Sequence, residues 1–490
     1  MATFKRDKAL WMIFALGVVW MVMALVIGGC ELIDPTNVRN PQTTEESLRS
    51  GGTGATTPFM SGVQFRYSDA VEDIAYFTDT VSDNYDNVAT FISPEADKPR
   101  NILPRDLTLN GGDGPYFEVQ ELRALADFAL SGVIPNDPLA TPAQRAEATF
   151  YRGMANLLSA ENYAAVPVVE DGPAVAGAQL LQLAIDNFNA ALAISQHSGF
   201  ATRINLALAR AYRQRGDVAN AEIAANAALA SGPANFSFPA QYDAANNVND
   251  GYTFAVSRNL NDIQPLPRLD FLDPKYIARD TPISSIKMEE AHLILAEVAL
   301  SRGNTGGATA ALVNAINLAK SRPTTTFRDI DPRNDTNPLH PKRPQGGTVQ
   351  ASPTAPAIAG LIVTRPVPAG STIPVPTVSG TSLDATAVGA LTGPVEIFRT
   401  LYLARQEIFF FEGRRMCDLG IRLPMMEREI ETNDKISPGD VGTIAVVPGY
   451  IPADDGLDAF TTDVTTNTVI ATDMNQVLAD NRISPFTMPF

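Results

Sequence analysis

Two stretches of this chain repeat one another. "NLALARAYRQRGDVANAEIAANAALASGP" begins at Asn205 and "LILAEVALSRGNTGGATAALVNAINLAKSRP" at Leu293, and matching positions lie 87 residues apart. Leu208 aligns with Leu295, Ala209 with Ala296, Gly216 with Gly303, Ala221 with Ala308 and Ala228 with Ala315. Leucine, small residue, glycine, then two small residues is the order found in a tetratricopeptide-like helical hairpin. Its glycine makes the turn, and its small residues let the two helices approach closely. Ile204, Leu208 and Tyr212 recur every four residues, which places them on one helical face. A hairpin of this kind cannot bury its apolar face alone and must stack on neighbours. The chain is therefore expected to be mainly α, a scaffold of helical hairpins carrying long irregular loops and minor β-hairpins.

Other segments extend the scaffold. "QLLQLAIDNFNAALAIS" (Gln179–Ser195), with Ala184, Phe188 and Ala191 in phase, reads as the second helix of an earlier unit. Thr141 and Gln144 form a capping box around Pro142 at the first helical position, opening a helix expected to run to about Ala160. Hairpins are thus expected near 141–233, 286–322 and 394–420. From about Gly62 to Leu130 Pro and Gly interrupt the helical pattern, and 236–282 is loop-rich with strand-like runs. The stretch 323–393 is dense in Pro, Thr, Gly and Val and too long for a simple connector. It reads as a functional or partly disordered insertion outside the scaffold, with a β-hairpin expected in "GLIVTRPVPAGSTIPVPTV" (Gly360–Val378).

The beginning of the chain is a different material. Lys5, Arg6 and Lys8 precede an uncharged apolar run from Ala9 to Ile27, followed by Gly28, Gly29 and Cys30. This is the pattern of a secretory signal peptide. Ile27-Gly28-Gly29-Cys30 resembles a bacterial lipobox, with Cys30 as the lipid-bearing residue. An uncleaved anchor is the alternative, since the run is long enough for a bilayer core of about 30 Å. The first reading divides the chain into a signal peptide (1–29), a polar tether (30–50) and one domain (51–490). Only Cys30 and Cys417 are present, so a lipidated Cys30 leaves no partner for an intrachain disulfide. The formal charge of −17 argues against a nucleic-acid binder, which needs clustered Lys and Arg.

The densest mixture of charge and apolar surface is "EIFFFEGRRMCDLGIRLPMMEREIETN" (Glu407–Asn433). Glu412, Gly413, Arg415, Asp418 and Leu419 match in spacing the Glu-Gly-x-Arg-x-x-Asp-Leu pattern of the SusD/RagB family of outer-membrane nutrient-binding lipoproteins. Pro424, Glu429, Ile430 and Asn433 match its later Pro-Ile-Pro-x-x-Glu-Ile-x-x-Asn, with Met425 in place of the first isoleucine and Met426 in place of the second proline. A second departure is Ala404-Arg405, where Glu-Arg is usual, with Glu407 one residue out of register. "CELIDPT" after the lipobox and "EATFYRGMANLLSAENYAAVPVV" are also similar to family segments, so the resemblance covers nearly the whole mature chain. It implies a SusD-like α/α superhelix, not an enzyme, lipid-anchored in the outer membrane and facing the cell exterior. It further implies binding of an oligosaccharide or similar nutrient, passed to a SusC-like TonB-dependent outer-membrane barrel. The competing reading is a surface tetratricopeptide-type scaffold that binds another protein and no small ligand.

Read from the residues alone, the Glu412–Asp418 cluster is a structural lock. Arg415 and Asp418 are spaced for a helical ion pair, and Phe409 to Phe411 supply apolar burial. The three histidines, His197, His292 and His340, are too scattered to complete a nucleophile–base set. Tyr67, Tyr76, Tyr85, Tyr242 and Tyr252, with Asp83, are the candidate ligand-binding residues; Asp79, Asp83 and Asp86 share a helical face, more simply a solvated one. Both tryptophans, Trp11 and Trp20, lie in the signal segment, so the mature chain lacks the largest stacking surface for sugars, and a peptide ligand stays open. No cofactor is expected beyond the lipid at Cys30, and calcium has only weak support. Asp329, Asp331, Asn334, Asp335 and Asn337 form an oxygen-rich loop, but calcium-loop spacing is absent and ordinary Asx-turn chemistry accounts for it.

Overall fold

The computed structural model describes residues 52–87, 96–111, 114–195, 197–257, 263–329, 344, 346–363, 367–463 and 466–487. The signal segment, Cys30, the tether, Asp331, Asn334, Asp335, Asn337 and His340 lie outside the described residues.

In chain order the principal helices are α1 (Thr56–Val81), α2 (Pro115–Phe128), α3 (Pro142–Asn162), α4 (Gly177–Ile194), α5 (Ser198–Gln214), α6 (Val218–Ser231), α7 (Glu289–Ser301), α8 (Thr305–Ser321), α9 (Pro394–Ile408), the single turn α10 (Arg415–Asp418) and α11 (Met474–Asn481). The capping box at Thr141 and Gln144 is formed as its sequence dictates, with Pro142 at the start of α3. Successive helices pair as α3 with α4, α5 with α6 and α7 with α8, giving a mainly α scaffold of helical hairpins.

The two repeats use the same turn chemistry. Gly216 and Gly303 take left-handed φ values of 76° and 73°, where a β-carbon would be strained. The next residue then caps the following helix: Asp217 accepts from the Asn220 amide, and Asn304 from the Gly307 amide. Ala221, Ala228, Ala308 and Ala315 are fully buried, so close helix approach follows from the small residues at aligned positions. The apolar face of α7 then packs on α9, and α9 on α11.

Within 62–130 the helical pattern is interrupted as expected, with α1 ending at Val81 and α2 beginning only at Pro115, but Gly62 itself is not one of the breaks. Gly62 lies inside α1, a helix of 26 residues. Burial of Val63, Tyr67, Ala70, Ile74 and Phe77 against α2 and α3 outweighs the cost of one exposed glycine, about 1 kcal/mol.

Short strands stitch the loops together. They are β1 (Tyr85–Asn87), β2 (Ala165–Pro167), β3 (Ala174–Ala176), β4 (Ser237–Ala240), β5 (Ile263–Pro265), β6 (Ile283–Lys287), β7 (Thr324–Phe327), β8 (Thr348–Gln350), β9 (Ala357–Ala359), β10 (Ile373–Pro376), β11 (Phe460–Asp463) and β12 (Asn467–Ile470). Antiparallel pairs join β1 to β5, β2 to β3 and β4 to β6. The order β11-β12-β8-β9 makes a four-stranded sheet in which β12 and β8 run parallel.

The expected hairpin within Gly360–Val378 is also corrected. Ile373–Pro376 pairs instead with Thr324–Phe327, at the other end of the insertion. Nor is this stretch outside the core. Ser379 donates to Glu289 of α7, while Thr381 and Ser382 donate to Glu407 of α9. Buried carboxylates of the scaffold require these donors. Among the described residues no helix is long and apolar enough to cross a membrane.

Candidate functional site

Two regions concentrate polar chemistry. The first is the charge lattice around α10, where every ionic side chain is buried. Arg415 does not pair with Asp418 as its spacing implied. It reaches back to Asp83, just beyond α1, in a bidentate contact with Nη2 to Oδ2 at 2.7 Å, and its Nη1 donates to Asn475 of α11. Asp418 accepts from Arg405 Nε at 2.7 Å and from Arg213 Nη1 at 2.9 Å. Burial opposes ionisation of Asp418, but the two guanidiniums outweigh it and hold the carboxyl below the usual carboxylate range. Glu412 Oε1 accepts from both Lys275 and Lys287. Burial pulls Lys287 down to about 8 despite that partner.

The chain bends sharply to assemble this lattice. Phe411 adopts a φ of 55°, with its amide donating to Asp79 and its carbonyl accepting from Tyr276 Oη. Gly413 follows at φ 67°, and a β-carbon there would sit 2.7 Å from Ile74 Cγ2. Glycine at this motif position is therefore a steric requirement of the contact with α1. Complementary, buried and mutually paired charges hold elements together, and none of those named here lines either of the clefts described below.

The second region is a pair of adjoining clefts along α1. The larger, about 440 Å³, lies between α1, Tyr151 of α3, and β4 with the loop that follows it. Phe65 is 40% exposed at its mouth, and half-buried Phe238 lines it from β4. Gln64, Gln241 and Asp243 supply amide and carboxylate groups on the rim, and buried Asn247 also lines the cleft. The neighbouring cleft, about 380 Å³, shares Ser61 and Gln64 with the first and adds Glu147, His197 and Phe200.

Local sequence builds this rim. Asp243 Oδ1 accepts from the amides of Asn246 and Ala245 in an Asx turn, and these bonds hold its carboxyl below the ordinary value. An anionic acceptor therefore stands at the mouth at neutral pH. Below it, the guanidinium of Arg203 lies 4.3 Å from the Phe238 ring centroid and 4.2 Å from that of Phe150. A rigid aromatic wall with a polar rim can stack on a flat or ring-shaped ligand and hydrogen-bond its edges.

Of the six ligand-binding candidates, only Tyr67 and Tyr242 line the larger cleft. Both are buried with their hydroxyls turned inward, Tyr67 to Ser285 and Tyr242 to the Ser68 carbonyl at 2.9 Å. Burial pushes both phenols up. They form the wall and offer little ring face to a ligand. Tyr76 is buried and stacked on Phe254 at 4.4 Å, and Tyr85 is buried with its hydroxyl on Asp273. Asp83 is held by Arg415, and half-buried Tyr252 lies on the turn at 251–256, outside the cleft lining. Nor is Asp79 on a solvated face: it is buried, accepts from Asn84 and Phe411, and is pushed up to about 7 by burial.

No protein-family model and no curated protein matches the chain. Solved structures do. B. fragilis NanU aligns over 90% of this chain and 98% of its own, at 11% identity and a TM-score of 0.48. A putative sugar binding protein from Bacteroides vulgatus aligns over 81% and 93%, at 12% identity and a TM-score of 0.48. A SusD-like carbohydrate binding protein from the same species aligns over 75% and 83%, at 12% identity and a TM-score of 0.45. The chain is similar to SusD-like proteins. In the SusD-like motif the remaining residues are structural too. Asn433 Nδ2 donates to Glu429 and to the Gly172 carbonyl, tying the short helix Glu427–Thr432 to the loop between β2 and β3. Residues 424–433 thus anchor a neighbouring loop, away from the cleft lining.

Proposed function

We propose that this chain is a cell-surface lipoprotein that binds an oligosaccharide or similar nutrient and delivers it to a SusC-like TonB-dependent outer-membrane transporter. The observation that carries the binding half is the pair of clefts sharing Ser61 and Gln64 along α1. Two adjoining clefts accommodate an extended ligand of several units, and Phe65 with Phe238 gives one unit an apolar face. Asp243, Asn247, Gln64 and Gln241 then meet hydroxyl groups at the edge of that unit. The motif matches at 412–433 and the lipobox-like Cys30 support the delivery half.

The test is calorimetric titration of the protein with a panel of oligosaccharides and peptides. A glycan of several units should bind, and Phe65→Ala should weaken it about tenfold, the loss of one ring contact worth roughly 0.5–1.5 kcal/mol beyond its area. Phe65 is half out of the core, so this variant keeps its fold. Binding of peptides alone, or unchanged glycan affinity in Phe65→Ala, would overturn the reading.

A further inference from the structure

Away from both clefts, three carboxylates from distant parts of the chain converge. Asp86 belongs to β1, Asp97 to the turn preceding residues 99–101, and Asp458 to the segment leading into β11. One oxygen from each lies within 4.8 Å of the other two. We propose that Asp86, Asp97 and Asp458 form a binding site for a hard divalent cation, with calcium the best match.

The decisive group is Asp458. It is only 3% exposed, and its Oδ2 is buried with no hydrogen-bond partner. The side chain hydrogen-bonds within the cluster to Asp97, but an oxygen that no donor reaches is costly to bury. A cation supplies the missing partner. Burial, and after it the neighbouring Asp97 and Asp86, push the Asp458 carboxyl well above its ordinary value, the expected result of carboxylates crowded together. Asp97 is likewise buried, whereas Asp86 is half-buried and leaves the cluster one approach from solvent. Gln264 of β5 donates to Asp86 Oδ2 at 3.2 Å and orients that carboxylate.

Chemistry selects the ion. The cluster is all oxygen, with neither imidazole nor thiolate, which disfavours zinc and copper. Calcium ligands stand about 2.4 Å from the ion, so two on opposite sides are about 4.8 Å apart. Three oxygens no farther apart than this can share one ion. Calcium also tolerates irregular geometry, whereas magnesium requires a near-ideal octahedron that three carboxylates on separate segments are poorly placed to supply. A second acidic trio, Glu72, Asp73 and Asp250, lacks the corresponding feature. There Glu72 Oε2 already accepts from the Asp250 amide at 2.6 Å.

A cation at this site ties β1 and the turn at 97 to the C-terminal sheet, so it should act on stability independently of ligand capture. The test uses the full chain in detergent, stripped with EDTA and then titrated with calcium by calorimetry and thermal unfolding. One calcium should bind per chain and raise Tm by about 3–5 °C at roughly a hundredfold excess over Kd. Asp458→Asn should abolish both the heat and the shift. Because that variant removes a buried carboxyl that is costly to ionise, its Tm without calcium should equal or exceed the parent's, which separates lost binding from lost folding. Glu72→Gln should retain the full response. Absence of a calcium-dependent shift in the parent, or an undiminished shift in Asp458→Asn, overturns the site. An equal shift with magnesium overturns its assignment to calcium.

Discussion

Arg415 and Asp83 stand 332 positions apart and meet in a bidentate pair with both side chains buried. Truncating one partner of such a pair leaves an uncompensated buried charge, at a cost of about 3–5 kcal/mol. Arg415→Ala should therefore lower the urea midpoint sharply, and adding Asp83→Asn should recover part of the loss. Equal midpoints for the single and double variants would show that the pair is not the source. The sequence marks Arg415 and Asp418 as structural residues but pairs them with each other, because a spacing rule sees only neighbours. The actual partners arrive by tertiary packing, Asp83 from just beyond the end of α1 and Arg213 from α5. The same blindness affects the candidate site. Tyrosines are visible as stacking residues, yet Tyr67 and Tyr85 are buried, while Phe65 and Asp243 were not distinguishable from other helix and turn residues.

Asp79 carries a pH dependence whose sign follows from its burial. Its carboxyl rises from 3.8 to about 7 on folding, so between those values the folded chain holds a proton that the unfolded chain has lost. Stability from this group therefore grows as pH falls from about 7 towards 4 and is absent above that window. In Asp79→Asn the remaining amide oxygen can still accept from Asn84 and Phe411. The variant should exceed the parent in stability at pH 7.5, with the gap closing at pH 5. Urea unfolding at both values measures this. Glu118 and Asp69 shift in the same direction in both proteins, so the difference isolates Asp79. A constant gap across the window would assign the dependence to other groups.

At the scale of elements, the helical hairpins were legible because their signals are local. Glycine turns, capping residues and alanine spacing at 205–233 and 293–323 each act within a few positions. The insertion at 323–393 was misread because its composition excludes a repeat helix yet says nothing about long-range hydrogen bonding. Thr381 Oγ1, Ser382 Oγ and the Ser382 amide all donate to the carboxylate of Glu407, which is buried in α9. Replacing Thr381 and Ser382 together with Ala removes two of these bonds, each worth about 1.5–3 kcal/mol when the acceptor is charged. The double variant should lose roughly 3 kcal/mol or more in urea unfolding. A change within about 0.5 kcal/mol, the level of an ordinary surface substitution, would return the insertion to the status of a dispensable loop.

For the whole molecule, an anchored binder and a bare scaffold make different demands on the partner. A protein that passes a ligand onward must hold its receiver long enough for transfer, and stable assemblies of this kind bury more than about 2,000 Å². An interface of that size should survive mild detergent. The lipobox-like Cys30 would keep the chain at the same membrane as the barrel, raising the effective concentration of each for the other. Two consequences can be separated by one comparison. Tagged protein pulled from solubilised outer membranes should bring a TonB-dependent barrel with it. Cys30→Ser should block lipidation and reduce that recovery, because the tethering contribution is lost while the docking surface is intact. Loss of the barrel together with failed export would be a processing defect, so the variant is also added back as purified protein to membranes lacking the native chain. Weak but specific capture of the barrel in that arm supports a lipid-assisted complex. Recovery of the parent chain alone under mild detergent would leave the protein-binding scaffold as the better account of its helical hairpins.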